Sequence, residues 1–353
     1  MASQNLQIHR FPQNNYIDSL RWLPQLSAFQ HHIILSSFNQ ESSTSSLQIL
    51  NYTSNQELTF QTSLITPSRI TSLKTSQNPN KPLIVASTFS GSLLLYTADL
   101  VNGSLEFIDS VPEKGEKAGF HSGRVSGIDV SENGVDFVSV GEDGRVNLVS
   151  FVDGKLSYKR VFDGNGLVSY GAVKWASPVE FVSGGLGFGL QWWDQRRPGG
   201  PVSQFKANWT HGITSGIVHS IDIHPSRKHT CLAGGSSGTV FAWDLRWQQQ
   251  PIMLSGVGTS DLSALSPAES DVWEVQYDNY TTSSNYRNIS ESRVLPAMIC
   301  SEDGILAVIE QGEEPVELLA EPCAINSFDI DRQNPSDIVC SLEWESIAIL
   351  TRS

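Results

Sequence analysis

Apolar and polar positions recur along the chain in a six-residue pattern: apolar, any, usually small, apolar, any, usually apolar. It reads Ile17-Asp-Ser-Leu20-Arg-Trp22, Ile70-Thr-Ser-Leu73-Lys-Thr75, Val125-Ser-Gly-Ile128-Asp-Val130 and Tyr170-Gly-Ala-Val173-Lys-Trp175. It returns as Val218-His-Ser-Ile221-Asp-Ile223, Val272-Trp-Glu-Val275-Gln-Tyr277 and Ile325-Asn-Ser-Phe328-Asp-Ile330. The starts lie 53, 55, 45, 48, 54 and 53 residues apart. Seven units at a near-constant period predict a repeat architecture before any other reading. Each unit continues with a turn segment, an apolar run, a tight turn and another apolar strand. Asp143-Gly144 and Asp303-Gly304 fill the tight turn in the third and sixth units, and Ser90-Gly91 and Ser237-Gly238 fill it in the second and fifth. Asp-Gly between two strand patterns predicts a hairpin, with type I′ geometry as the expectation.

The strand patterns are short and often apolar on both faces, which suits sheets packed between neighbours on both sides. No stretch has the length and 3.6-residue period of a good helix. A seven-bladed propeller at roughly 40–45 residues per blade needs about 300 residues, and the chain has 353. One or two β-sandwiches are the rival all-β reading, but sandwiches do not predict seven equal units. The fold expected is therefore all-β, with residues 1–353 forming one seven-bladed propeller. Its blades start near 17, 70, 125, 170, 218, 272 and 325. The last unit offers only three strands, Ile325–Ile330, Asp337–Leu342 and Ile347–Leu350. The segment 6–11 (Leu6-Gln-Ile-His-Arg-Phe11) is strand-like and is expected to complete the last blade, closing the ring and leaving only short edges.

Composition narrows the function. Formal net charge is −14, with Lys+Arg 23 against Asp+Glu 37. Such a surface repels phosphate backbones, and no Lys/Arg run offers a local exception, so direct nucleic-acid binding is not expected. Met1 to Pro12 lacks the apolar core of a secretory signal, and no run approaches 18 apolar residues, so neither export nor membrane insertion is expected. Cys231, Cys300 and Cys340 sit inside apolar runs and read as small buried hydrophobes in a reducing compartment.

Some of these residues carry a family signature. Trp193-Asp194 and Trp243-Asp244 end the fourth and fifth units where WD-repeat proteins carry their name-giving dipeptide. Gly119-Phe-His121 and Thr210-His211 precede units as that family's Gly-His pair does. The structural WD-type positions are thus His121, Asp143, Trp193, Asp194, His211, Trp243, Asp244 and Asp303. No unit keeps the whole His, Ser, Asp and Trp set: the third has His121, Ser139 and Asp143, but Val149 stands where Trp would be. Several stretches resemble a narrower family, the WD-repeat nucleoporins usually called nucleoporin forty-three. They are Val138-Ser-Val-Gly-Glu-Asp-Gly-Arg-Val-Asn-Leu148, His224-Pro225 followed by Trp243-Asp-Leu-Arg246, Asp271-Val-Trp-Glu-Val275, Cys300-Ser-Glu-Asp-Gly304 and Glu345-Ser-Ile-Ala-Ile349. The resemblance spans most of residues 120–353 and is thin over 1–115.

What the resemblance implies is a non-catalytic scaffold subunit in the nucleus, at the nuclear envelope. It would sit in the Y-shaped outer-ring complex of the nuclear pore, as a monomeric propeller within a hetero-complex. The partners implied are other nucleoporins, among them a helical-solenoid subunit of the short arm, and the process is nucleocytoplasmic transport, including mRNA export. The alternative is a substrate receptor for a cullin-4 ubiquitin ligase. Trp193-Asp194-Gln195-Arg196 and Trp243-Asp244-Leu245-Arg246 both fit the Trp-Asp-x-Arg motif of that class.

No enzyme, cofactor or metal is expected. His219, His224, His229 and Cys231 lie within thirteen residues, but they straddle a His-Pro turn and match no zinc spacing. Gly184-Gly-Leu-Gly187-Phe-Gly189 resembles a phosphate loop yet leads into a strand instead of a helix N-terminus. No Gly-x-Ser-x-Gly elbow is present. Loops are where a propeller would meet partners. Gly256–Ser270 reads either as an ordered docking segment or as a floppy insertion, the polarity of Asp278–Val294 favours mobility, Trp247 reads as an interface anchor or as loop packing, and Ser-rich Gln40–Ser46 reads as an exposed loop.

Overall fold

The computed structural model describes residues 6–25, 30–76, 81–112, 119–187, 189–205, 216–246, 252–255, 268–280, 296–310 and 313–353. Twenty-eight strands among them form seven four-stranded antiparallel sheets. The first blade comprises β2 (Tyr16–Trp22), β3 (Gln30–Asn39), β4 (Thr44–Thr53) and β5 (Leu58–Thr66). The second comprises β6 (Ile70–Thr75), β7 (Leu83–Thr88), β8 (Leu93–Asp99) and β9 (Ser104–Val111). The third holds β10 (Val125–Val130), β11 (Asp136–Gly141), β12 (Arg145–Val152) and β13 (Lys155–Asp163). In the fourth are β14 (Tyr170–Ser177), β15 (Glu180–Gly185), β16 (Leu190–Asp194) and β17 (Ser203–Phe205). The fifth has β18 (Val218–Ile223), β19 (Thr230–Gly235), β20 (Val240–Asp244) and β21 (Ile252–Ser255). The sixth has β22 (Val272–Tyr277), β23 (Ala297–Ser301), β24 (Ile305–Ile309) and β25 (Val316–Ala320). The seventh is built from both ends of the chain: β26 (Ile325–Ile330), β27 (Asp337–Leu342), β28 (Ser346–Arg352) and, as its outermost strand, β1 (Leu6–Pro12). β1 pairs with β28 from Leu6↔Arg352 to Pro12↔Ser346. The first strands of successive blades lie side by side, and β26 lies beside β2, so the ring closes as a seven-bladed β-propeller.

Each hexad is the first strand of a blade, and the pairing explains its odd spacing. In a regular strand, positions 1 and 4 would face opposite sides. In all seven blades the register with the second strand slips by one residue between hexad positions 1 and 3, at Ile17/Ser19, Ile70/Ser72, Val125/Gly127, Tyr170/Ala172, Val218/Ser220, Val272/Glu274 and Ile325/Ser327. The extra residue resets the parity. Positions 1, 4 and 6 then share one face, as Ile17, Leu20 and Trp22 do against the seventh blade.

The core is not central. Buried apolar residues gather into seven clusters, one at each junction between neighbouring blades. This is why the middle strands are apolar on both faces: in β3, Ile34 packs toward the second blade while Ile33 and Leu35 pack toward the seventh.

The tight turns depart from expectation. At Asp143-Gly144 and Asp303-Gly304 only the glycine takes positive φ, 75° at Gly144 and 82° at Gly304. Gly144 N–H donates to Gly141 O at 3.1 Å and Gly304 N–H to Ser301 O at 3.2 Å. These are three-residue loops with a left-handed glycine after a type I turn, because Asp keeps its ordinary negative φ. The paired positive φ of a type I′ turn occurs at Asp153-Gly154, 51° and 79° between β12 and β13, and at Ser237-Gly238, 57° and 66°. Gly304 is also required sterically, since a Cβ there would lie 2.1 Å from Glu321 O. The Gln40–Ser46 segment is a turn only to Ser43; β4 begins at Thr44, and Ser45 is buried.

Candidate functional site: channel latches and blade turns

The hexads place their position-5 side chains along the central channel: Arg21, Lys74, Asp129, Lys174, Asp222, Gln276 and Asp329. The acceptors among them reach across to the next blade. Asp129 accepts Trp175 N–H at 2.8 Å, Asp222 accepts Tyr277 N–H at 2.8 Å, Gln276 accepts Ile330 N–H at 3.3 Å and Asp329 accepts Trp22 N–H at 2.9 Å. Each latch holds the position-6 amide of its neighbour. Arg21, Lys74 and Lys174 have no lone pair to offer, and Arg21 and Lys174 form ion pairs instead. Lys174 lies 3.2 Å from Asp222 and 3.9 Å from Asp129, bridging two latches. Burial alone would lower its pKa; the two carboxylates outweigh burial and raise it.

Position 3 is small in six blades and Glu274 in the sixth. Glu274 grips Arg21 with both carboxylate oxygens, and it accepts Ser327 Oγ–H at 2.9 Å and Phe328 N–H at 3.1 Å. Arg21 in turn donates to Phe328 O at 3.2 Å. One ion pair thus ties the sixth, seventh and first blades, across the junction where the two chain ends meet. Lys74 lines the same space with no carboxylate at ion-pair distance among the described residues, and burial pushes its pKa down to about 8. The channel mouth is a cavity of about 790 Å³. Its position-5 charges are of mixed sign and all but Lys74 are bonded or paired to other blades, so among the described residues no set of groups converges on a ligand.

The WD-type positions are distributed over several blades. In the third, His121 Nδ1 meets Asp143 Oδ1 at 3.0 Å and Nε2 meets Ser139 Oγ at 3.0 Å. Ser122 N–H also donates to Asp143. Burial alone would raise the Asp143 carboxyl, but the bonds from His121 and Ser122 hold it well below the usual carboxylate range. Asn147, which the sequence did not single out, donates to Phe120 O and to His121 Nε2. It adds a second donor at His121 Nε2 beside Ser139, while Val149 occupies the Trp position and offers none. In the fourth blade Trp193 Nε1–H donates to Ser183 Oγ at 2.9 Å. In the fifth, Trp243 occupies the same place, but Ala233 stands where Ser183 does, and the buried Trp243 Nε1 has no partner among the described residues. Asp303 accepts Glu269 N–H at 3.0 Å. His211 lies outside the described residues, as do Trp247 and most of the two long loops, 256–267 and 281–295.

Both Trp-Asp-x-Arg arginines fold back on their own dipeptide. Arg196 makes two hydrogen bonds to Asp194, holding that carboxyl down to about 2, and Arg246 does the same to Asp244. The histidines of the would-be metal cluster are dispersed. His219 meets Asp271, His224 Nδ1 accepts Ser226 N–H, and His229 lies against Trp192. Cys231, Cys300, Cys323 and Cys340 are buried free thiols.

No family model matches the chain. The Arabidopsis thaliana protein named nuclear pore complex protein NUP43 is 57% identical over 368 aligned residues, covering 100% of this chain and 99% of that one. The chain belongs to the Nup43 family of nucleoporins. Within that family, human and mouse Nup43 are 26% and 27% identical. In each case the match covers 63% of this chain and 52% of the relative. Membership makes the chain a WD-repeat subunit of the nuclear pore complex at the nuclear envelope, alongside other nucleoporins. For a Nup43-family propeller, the channel latches and split WD-type sets are a way of holding blades together.

Proposed function

We propose that the chain is a non-catalytic scaffold subunit of the outer, Y-shaped ring of the nuclear pore, and that it supports nucleocytoplasmic transport and mRNA export through protein–protein contacts. The observation that carries the reading is the 57% identity over the whole chain to a nuclear pore complex protein. Polar groups with catalytic potential agree with it, because they are committed to one another within the ring: Glu274 to Arg21, Lys174 to two aspartates, His121 to Asp143. The partner proposed is a helical-solenoid nucleoporin of the short arm, met by a monomeric propeller. With a net charge of −14 the propeller contributes no direct nucleic-acid contact, and it is placed on the membrane-bound pore without inserting in the bilayer. The WD-type residues are proposed as structural.

Affinity purification of the tagged chain at moderate salt tests this. Stoichiometric recovery of outer-ring nucleoporins is expected. Recovery of a cullin-4 adaptor with no nucleoporin would overturn the reading, and with it the structural role of Arg196 and Arg246.

A further inference from the structure

A propeller has seven outer edges, and six of these are protected in recognisable ways. β9 carries Glu106 and Asp109; β13 carries Lys155, Lys159, Arg160 and Asp163; β25 carries Glu317. β1 carries Arg10 and ends on Pro12, while β17 and β21 are only three and four residues long. Charge, proline and shortness are the usual means of keeping an edge strand from pairing with another chain. β5 has none of them. It is nine residues long, Leu-Thr-Phe-Gln-Thr-Ser-Leu-Ile-Thr, without a charge or a proline. Among the described residues it pairs with β4 alone.

β5 is also shaped for more than backbone pairing. Phe60 and Ile65 are 61% and 74% exposed. Five residues apart, they would lie on opposite faces of a regular strand. The register slip between Ile49 and Leu50 moves them to one side: Ile65, Ser63, Phe60 and Leu58 pair with Ser46, Gln48, Leu50 and Tyr52, an alternating set. An uncharged hydrogen-bonding edge therefore runs beside a stripe of two exposed apolar side chains.

We propose that β5 is a docking edge that takes an extended segment of another nucleoporin as a fifth strand of the first blade, with apolar residues on alternate positions to cover Phe60 and Ile65. The segment is neutral or basic, since the propeller carries a net charge of −14 and Glu57 flanks the edge. The same charge disfavours a second copy of this chain, which would bring an equally acidic body alongside. This inference rests on the scaffold reading.

The test compares amide hydrogen exchange at residues 58–66 in the free chain and in the nucleoporin complex purified with it, for the wild type and for F60K/I65K. Both substituted side chains are exposed, so the variant is expected to melt within about 2 °C of the wild type. Binding is expected to slow alternate β5 amides at least tenfold, and the variant to recover at least tenfold less of the partner. A recovered complex in which β5 exchanges as fast as in the free chain overturns the docking edge and leaves the scaffold role standing. Slow β5 exchange in the free chain overturns it too; a dimer abolished by F60K/I65K would assign the edge to self-pairing. Failure of the wild type to recover any nucleoporin overturns the scaffold reading and the inference together.

Discussion

Replacing Glu274 by glutamine leaves shape almost unchanged and removes one charge from the tie that joins three blades. Arg21 and Glu274 are only 8% and 10% exposed as side chains. The carboxylate accepts from Arg21, from Ser327 Oγ and from Phe328 N–H. A glutamine amide has one acceptor oxygen, so its NH₂ must face at least one of these donors while Arg21 keeps a nearly buried charge. Removing one partner of a buried pair costs about 3–5 kcal/mol; because the channel mouth admits solvent, the lower figure applies. Unfolding entropy of roughly 2 cal/mol/K per residue then gives a melting temperature lower by about 4 °C for a chain of this length. Calorimetry on wild type, Glu274→Gln, Arg21→Met and a Glu274→Met/Arg21→Met double variant measures it. The double variant is expected to lose less than the sum of its two single changes, since no uncompensated charge remains. A Glu274→Gln melting point within 1 °C of the wild type would refute the reasoning, showing that solvent in the channel screens the pair fully.

Three other outcomes follow from the same geometry. Ala233→Ser places an oxygen where Ser183 serves Trp193, giving the orphaned Trp243 Nε1–H an acceptor; a gain of about 1 kcal/mol in denaturant unfolding is expected. His32 is buried with neither ring nitrogen partnered among the described residues, and burial, aided by the neighbouring His31, pushes its pKa down to about 4. The unfolded chain therefore binds the extra proton first. Stability holds above about pH 6.5 and falls between there and pH 4, by on the order of 3 kcal/mol for this residue; a His32→Leu variant should show a shallower loss in pH-dependent melting. Arg196→Ala and Arg246→Ala remove exposed ion pairs to their own aspartates, so unfolding free energy should change by less than about 0.5 kcal/mol, and nucleoporin recovery should be unaltered.

The hexads were legible because apolar identity at positions 1, 4 and 6 is what each blade junction consumes. Their cause was not. The parity reset is a property of two paired strands, and nothing within Val125-Ser-Gly-Ile128 announces that Ser126 is skipped. Closure by the N-terminal strand was legible from the three-strand last unit and is seen as β1 on β28. The channel latches were hidden for the opposite reason. Position 5 is free to vary as far as the core is concerned, so Asp129, Asp222, Gln276 and Asp329 read as surface residues until the next blade's amide is seen beside them. At Asp143-Gly144 and Asp303-Gly304 the dipeptide was over-read as type I′: it tolerates two turn geometries, and the three-residue loops there take one while the two-residue loop at Asp153-Gly154 takes the other. Asn147 escaped for want of a signal: only its neighbours in space show that it donates to His121 and Phe120.

The blades without a full WD-type set raise the question of what holds them in register. Junction packing is non-directional and tolerates sliding, whereas a latch from position 5 to the next position-6 amide fixes one blade against the next to within a hydrogen bond. Four of the seven junctions have that latch, and the other three follow the cationic positions Arg21, Lys74 and Lys174. Two of those cations serve elsewhere in the ring, Arg21 by closing it through Glu274 and Lys174 by bridging the latch carboxylates on either side. The polar chemistry of this propeller is thus directed inward and around the channel. That leaves the outer rim, β5 above all, as the surface free to be shaped by a partner instead of by the fold.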